Sequence, residues 1–183
     1  MKNRIITIVA LAITIISCNQ KNKQEETVKI ESTTEVVGQS SFSIDEIVKN
    51  YLAIKNSLAT DDSDAAADAG KVLSETMTKT GMEKVSSDQM EAYMSIADDV
   101  KEHAEHIGDN AGNIAHQREH FVTLSKDMND LIELFGTNQK LYLDFCPMAD
   151  NNNGAVWISE TKEITNPYFG KDMATCGSIK KEF

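Results

Sequence analysis

Sulfur and imidazole are the side chains with which this sequence could do chemistry. Cys146-Pro147-Met148 and Met173-Ala174-Thr175-Cys176 set two thiols and two thioethers in one C-terminal segment. These soft donors favour Cu(I), and thiolates also suit Zn(II). Pro147 fixes the backbone between Cys146 and Met148, which helps hold two sulfurs in a preset geometry. A Cys146–Cys176 disulfide is the competing reading, in which Met148 and Met173 are core residues. In an oxidising compartment it would close a loop of about 30 residues, worth roughly 3–4 kcal/mol in the chain-entropy account.

All four histidines fall between residues 103 and 120. His103 and His106 are spaced i, i+3, and His116 and His120 i, i+4, so each pair shares a face of its helix. A turn near Gly108 brings these helices side by side, with the four imidazoles near one end. Imidazole is the commonest nitrogen ligand for zinc and copper. Histidine also decorates surface helices without any ligand role, and no His-Glu-x-x-His motif is present. Arg118 and Glu119 read as solvated or ion-paired residues.

No nucleotide loop, catalytic triad or paired-carboxylate motif accompanies these groups, and nothing pairs a nucleophile with an oriented base. A non-enzymatic protein is therefore expected. The net charge of −11, from 18 basic and 29 acidic side chains, argues against nucleic acid as a partner, since phosphate binding needs a basic face.

The elements that must position these groups begin with an address. Lys2 and Arg4 precede an apolar run from Ile5 to Ile16, too short to span a bilayer as a helix but of the length of a secretory h-region. Ile15-Ile16-Ser17-Cys18 resembles a bacterial lipobox, with Ile15 where leucine is usual. Residues 1–17 are thus expected to be removed and Cys18 lipidated, anchoring the chain to a membrane of the cell envelope, on its periplasmic or outer-surface side. That leaves Cys146 and Cys176 as the only other cysteines. Residues 18–41 are rich in Gln, Lys, Glu, Ser and Thr and read as a flexible tether. Residues 42–183 have the length of one domain.

Four amphipathic runs follow. Ser43 to Glu46 has the form of a capping box, and Ile44, Ile47, Val48, Tyr51, Leu52 and Leu58 mark one face. Asp61 to Asp64 supplies caps for a second helix, with Ala65, Ala66, Ala69, Val72, Leu73 and Met77, that stops near Gly81. Its small residues imply close approach to a neighbour. Ser86 to Gln89 repeats the capping-box form before Met90, Tyr93, Met94, Ala97, Val100, Ala104 and Ile107. The fourth run carries Ile114, Phe121, Leu124, Met128, Leu131, Ile132 and Phe135 and ends at Gly136. Eight methionines against one tryptophan point to a helical core with adaptable packing. The expected fold is mainly α: an antiparallel four-helix bundle with a C-terminal strand and loop tail that contains a short hairpin. Leu141, Leu143 and Phe145 alternate with Tyr142 and Asp144 as a strand, Asn153-Gly154 signals a tight turn, and Ala155 to Ile158 form the return strand. The tail beyond is rich in aromatics and is expected to fold back onto the helices.

Several segments resemble the Bacteroidetes family called domain of unknown function 3347. They are Tyr51-Leu52-Ala53-Ile54-Lys55-Asn56, His106-Ile107, His116-Gln117-Arg118-Glu119-His120-Phe121, Leu124-Ser125, Cys146-Pro147-Met148-Ala149, Trp157-Ile158-Ser159, Ile164 to Gly170 and Met173 to Gly177. The resemblance covers roughly residues 44 to 180. It implies an exported helical domain, which in other chains is fused to periplasmic adaptor subunits of heavy-metal efflux pumps. Cys-Pro-Met followed by Met-x-x-Cys-Gly is also similar to small heavy-metal-binding modules, although Ser178 stands where those have methionine. By resemblance, a metal role falls to Cys146, Met148, Met173 and Cys176, and to His116 and His120. The expectation is a lipid-anchored protein that binds copper or a related soft or heavy metal, with Cu(I) or zinc as the ion and an efflux adaptor or other envelope protein as partner. The alternative is a disulfide-stapled interaction module with no metal of its own.

Overall fold

A computed structural model of the chain describes residues 42–183. The expected signal sequence, lipidation site Cys18 and tether lie outside the described residues. The fold is mainly helical, with a small antiparallel sheet at its C-terminal end. No helix among the described residues is long and apolar enough to cross a membrane.

Helix α1 spans Asp45–Ala59, and all six expected apolar positions are buried. Its capping box does not form. The helix starts one residue later than the box requires, so the N-cap is Ile44, and Ser43 Oγ accepts only the Asp45 N–H. Helix α2, Ser63–Lys79, is capped by Asp62, whose carboxylate accepts the Ala65 N–H at 2.9 Å. Helix α3, Met90–Asp109, follows a 3₁₀ turn at Met82–Lys84. Here too the box fails, because Gln89 donates to the Leu134 carbonyl at 2.9 Å and its Oε1 meets Ser86 Oγ instead of the backbone. Helix α4, Ile114–Phe135, is capped by Asn113 and stops at Gly136 as expected.

Each helix packs on the next in sequence, whereas α1 and α4 meet sparingly and the sheet's second strand touches both. The α2–α3 seam is built from backbone. A Cβ on Gly70 would come within 2.8 Å of the Ala104 carbonyl oxygen and of Gly108 N, and one on Gly108 within 3.1 Å of Lys71 N. The close approach expected of the small residues is thus present, but the buried face is turned to Ala66, Ala67, Gly70, Leu73 and Met77, leaving Val72 half exposed. Of the methionines, Met77 and Met128 are core, while Met82, Met94 and Met148 are about half exposed. Aliphatic and aromatic side chains supply most of the interior.

Strands β1 (Tyr142–Cys146), β2 (Ala155–Ser159) and β3 (Ser178–Glu182) are ordered β2-β1-β3. The expected hairpin is β1–β2, with Cys146 opposite Ala155 and Asp144 opposite Trp157. Its connection is residues 147–154 rather than a two-residue turn, because Asp150, Asn151 and Asn152 all adopt positive φ, which Asn and Asp tolerate better than other residues. The β1 face that is fully buried carries Tyr142, Asp144 and Cys146, with Leu143 and Phe145 only partly covered. Strand β3 has no counterpart in the sequence reading. Every residue of it is exposed, so no apolar alternation announces it, and pairing with β1 alone defines it.

The sheet docks on the helices through polar groups inside the core. Tyr51 OH lies 2.8 Å from Ser125 Oγ and accepts the Ile158 N–H at 3.0 Å. Lys55, only 1% exposed, reaches Glu160 at 2.9 Å, and Asn56 donates to the same carboxylate. Phe121 and Tyr168 pack at 5.8 Å between ring centres, so the aromatic tail folds back onto the helices as expected.

Candidate metal centre

The junction between α3 and α4 is fixed by a buried glutamine. Gln117 Nε2 donates to the carbonyls of Ser63 and Ile107, and its Oε1 accepts from Ser63 Oγ. Ser63 Oγ in turn accepts the Gly112 N–H at 2.9 Å. One side chain therefore ties the start of α2 and the end of α3 to the first turn of α4. Its neighbours diverge from it around the helix: His116 and His120 face α3, while Arg118 reaches the tail.

The four imidazoles meet across this junction. His120 lies at the centre, with Nδ1 3.0 Å from His103 Nδ1 and Nε2 3.2 Å from His116 Nε2. Its ring stacks on His106 at 4.3 Å between centres and 6° between planes. Ligand nitrogens of His106, His116 and His120 all lie within 4.8 Å of one another. Among the described residues this is the one group of three or more His, Cys, Asp or Glu so arranged.

Two nitrogens on one tetrahedral ion at about 2.0–2.1 Å stand about 3.3 Å apart. The His116–His120 spacing matches that bite. His106, exposed at the end of α3, is stacked parallel to His120 and must turn about its side-chain torsions to aim a lone pair between them. Burial holds His103 and His120 below the ordinary histidine range, and neighbouring imidazoles depress His120 further. Both shifts favour the neutral ring, the form that offers a lone pair. Glu119 Oε2 lies 3.1 Å from His116 Nδ1, in keeping with the solvated or ion-paired role read for this residue.

The sulfur groups lie elsewhere. Cys146 Sγ, buried at the end of β1, is 3.0 Å from Cys176 Sγ, and both are free thiols. Contact with Cys146, and then burial, raise the Cys176 pKa, so neither cause favours a thiolate there. Buried Asn166 holds the Cys176 strap in place. Its Nδ2 donates to the Cys176 carbonyl at 2.7 Å, and its Oδ1 accepts the N–H groups of Tyr168 and Phe169. Gly177, at φ 150°, passes so close to Trp157 that a Cβ would lie 2.7 Å from the indole ring. Met148 is 47% exposed in the β1–β2 connection, and Met173 closes a 3₁₀ turn, its carbonyl accepting the Cys176 N–H. The structure therefore joins the two cysteines to each other and His116 to His120, and the converging ligand group contains no sulfur.

The family pattern described as "Protein of unknown function (DUF3347)" matches residues 47–140, just over half of the chain. The chain belongs to this family. The matched span holds all four histidines together with Gln117 and Glu119, and it stops short of the sheet and both cysteines. No curated protein and no solved structure matches the chain.

Sequence reasoning placed metal roles on His116 and His120 but not on His106. The signal for His106 was its i, i+3 spacing from His103 combined with the turn that follows it. Gln117 and Asn166 carried no such signal, because a buried amide is recognised by the carbonyls around it.

Proposed function

We propose that this chain is a lipid-anchored, exported, non-enzymatic binding protein for copper or zinc, carried on an antiparallel four-helix bundle. The supporting observation is the convergence of His106, His116 and His120 nitrogens within 4.8 Å. Imidazole suits Zn(II) and copper alike. The lipobox-like tetrad ending at Cys18 supports attachment in the cell envelope, and the resemblance noted above supports an efflux adaptor or another envelope protein as the recipient of the metal.

Cys146, Met148, Met173 and Cys176 are the alternative seat for a soft ion such as Cu(I). A titration of the reduced full chain against a competing chelator separates the two. His116→Ala with His120→Ala should abolish Zn(II) and copper uptake, whereas Cys146→Ser with Cys176→Ser should leave it intact. The opposite pattern moves the site to the sulfurs, and no uptake by the wild type refutes the metal reading. Cys18→Ser should release the protein from membranes or block its processing. Unchanged fractionation with membranes would exclude lipidation as the anchor.

A second reading is favoured by the 3.0 Å approach of the two thiols: a disulfide-stapled interaction module of the envelope. Metal uptake distinguishes it, since that module holds no ion.

A further inference from the structure

The imidazole cluster contains a fourth ring, His103, that faces the wrong nitrogen to be a ligand of the same ion. His120 presents Nε2 to His116 and Nδ1 to His103, and one ring cannot aim both nitrogens at one metal. The positions of the protons follow from the hydrogen-bond network. Glu119 is a carboxylate and only accepts, so His116 Nδ1 carries a proton, and with a single proton on that ring His116 Nε2 is bare. The 3.2 Å contact then requires a proton on His120 Nε2, which leaves His120 Nδ1 bare. The 3.0 Å contact in turn requires a proton on His103 Nδ1. In the metal-free protein the donors therefore run in one direction, from His103 through His120 and His116 to Glu119.

A metal between His116 and His120 needs both Nε2 atoms bare. His116 already satisfies this, with Glu119 holding its proton on the far nitrogen. His120 does not. Its proton must move to Nδ1, where the only ring nitrogen placed to accept it is His103 Nδ1, which must itself become bare and carry its proton on Nε2. His103 Nδ1 passes its proton to His120 Nδ1, and solvent water carries the proton displaced from His120 Nε2 to His103 Nε2, so each ring ends with one proton and the count is unchanged.

We infer that His103 is a positioning residue for the metal centre: loading reverses the His103–His120 hydrogen bond, and His103 then holds His120 in the tautomer that binds. Glu119 does the same for His116 without any reversal. Such outer partners of a metal-bound histidine commonly account for 10–100-fold in affinity. The inference rests on the metal reading above, and its test keeps the two apart.

The test uses the full chain, with Zn(II) as the ion and nitrogen-15 spectroscopy of the imidazole rings as the readout. In the metal-free wild type, His103 should carry its proton on Nδ1 and His120 on Nε2. With Zn(II) bound, both should exchange, His103 to Nε2 and His120 to Nδ1. A His103 tautomer that is the same before and after loading overturns the inference while leaving the metal reading standing. Chelator competition supplies a second measure. His103→Leu should weaken Zn(II) binding by about 10–100-fold, and His103→Gln, which keeps a carbonyl acceptor, should restore most of it. Equal affinity of wild type and His103→Leu also overturns the inference alone. Failure of the wild type to take up Zn(II) overturns the metal reading and this inference with it.

Discussion

Arg118 and Asp61 stand 57 residues apart in sequence, and Arg118 Nη2 lies 2.6 Å from Asp61 Oδ1. The same guanidinium donates to the carbonyls of Leu58 and Pro167, and Asp61 Oδ2 accepts the Lys171 N–H. The end of α1, the start of α4 and the aromatic tail are thereby clasped at one point. Arg118 holds the Asp61 carboxyl below the usual carboxylate range. Its contribution is therefore present above the unfolded-state value and is lost as pH falls through the folded one.

Arg118→Ala should lower stability by about 2–4 kcal/mol, because it leaves two partly buried carbonyls and a carboxylate without their donor. Arg118→Lys should recover less than half of that, since an ammonium cannot serve three divergent acceptors. Urea denaturation of the three proteins measures both. A loss under 0.5 kcal/mol in the alanine variant would show that the clasp does not hold the tail.

Asp144 is fully buried, and neither of its carboxylate oxygens has a hydrogen-bond partner within the protein. Burial raises its pKa to about 6, with Lys55 opposing the shift. The folded state thus keeps a proton that the unfolded chain releases near pH 4. The contribution of Asp144 to stability should fall as pH rises from about 4 to about 6, by up to roughly 3 kcal/mol, and level off above. Asp144→Asn should remove that slope and be the more stable protein at pH 7. Parallel pH profiles for the two would assign the slope to another group.

Cys146 and Cys176 should join when the reduced chain is exposed to a disulfide donor, with both thiols oxidised and the donor reduced to two thiols. Mass mapping should then find the 146–176 link, and the unfolding free energy should rise by about 3–4 kcal/mol over the reduced protein. Persistence of both thiols under a donor that oxidises ordinary exposed pairs would refute the staple.

Gly70→Ala tests the α2–α3 seam. The added methyl meets backbone on α3 at 2.8 Å, so the helices must separate. Overpacking of this kind costs about 1–3 kcal/mol, against which the better helix propensity of alanine returns up to about 1. Because Gly108 lies two residues from His106, the same change should also weaken Zn(II) binding. An unchanged affinity would mean that the end of α3 does not set the geometry of His106.

The helices were legible in the sequence because their apolar spacing is a local property. Every expected contact position of α1 is buried, and Asp62 and Gly136 mark the ends anticipated for α2 and α4. The two capping boxes failed for a non-local reason in at least one case, since Gln89 is drawn to Leu134 from a distant helix. Strand β3 was hidden because its determinant is a neighbouring strand rather than any periodicity of its own, and the inward face of β1 was hidden because it carries an aspartate where an apolar residue would announce burial. At the site, spacing announced the two histidine pairs. The distances between the pairs depend on how α3 and α4 are held, which involves Gln117, Ser63 and the glycines of the seam.

The family span ends at residue 140, yet Tyr51, Lys55, Asn56 and Ser125 within it bond to one another or to residues 158–160 beyond it. A polypeptide cut at that boundary would keep every imidazole but open a lysine and a tyrosine hydroxyl to water on the floor of an uncovered groove. The smallest unit that can be excised, grafted onto another protein or exchanged by recombination is accordingly the helices with the sheet attached.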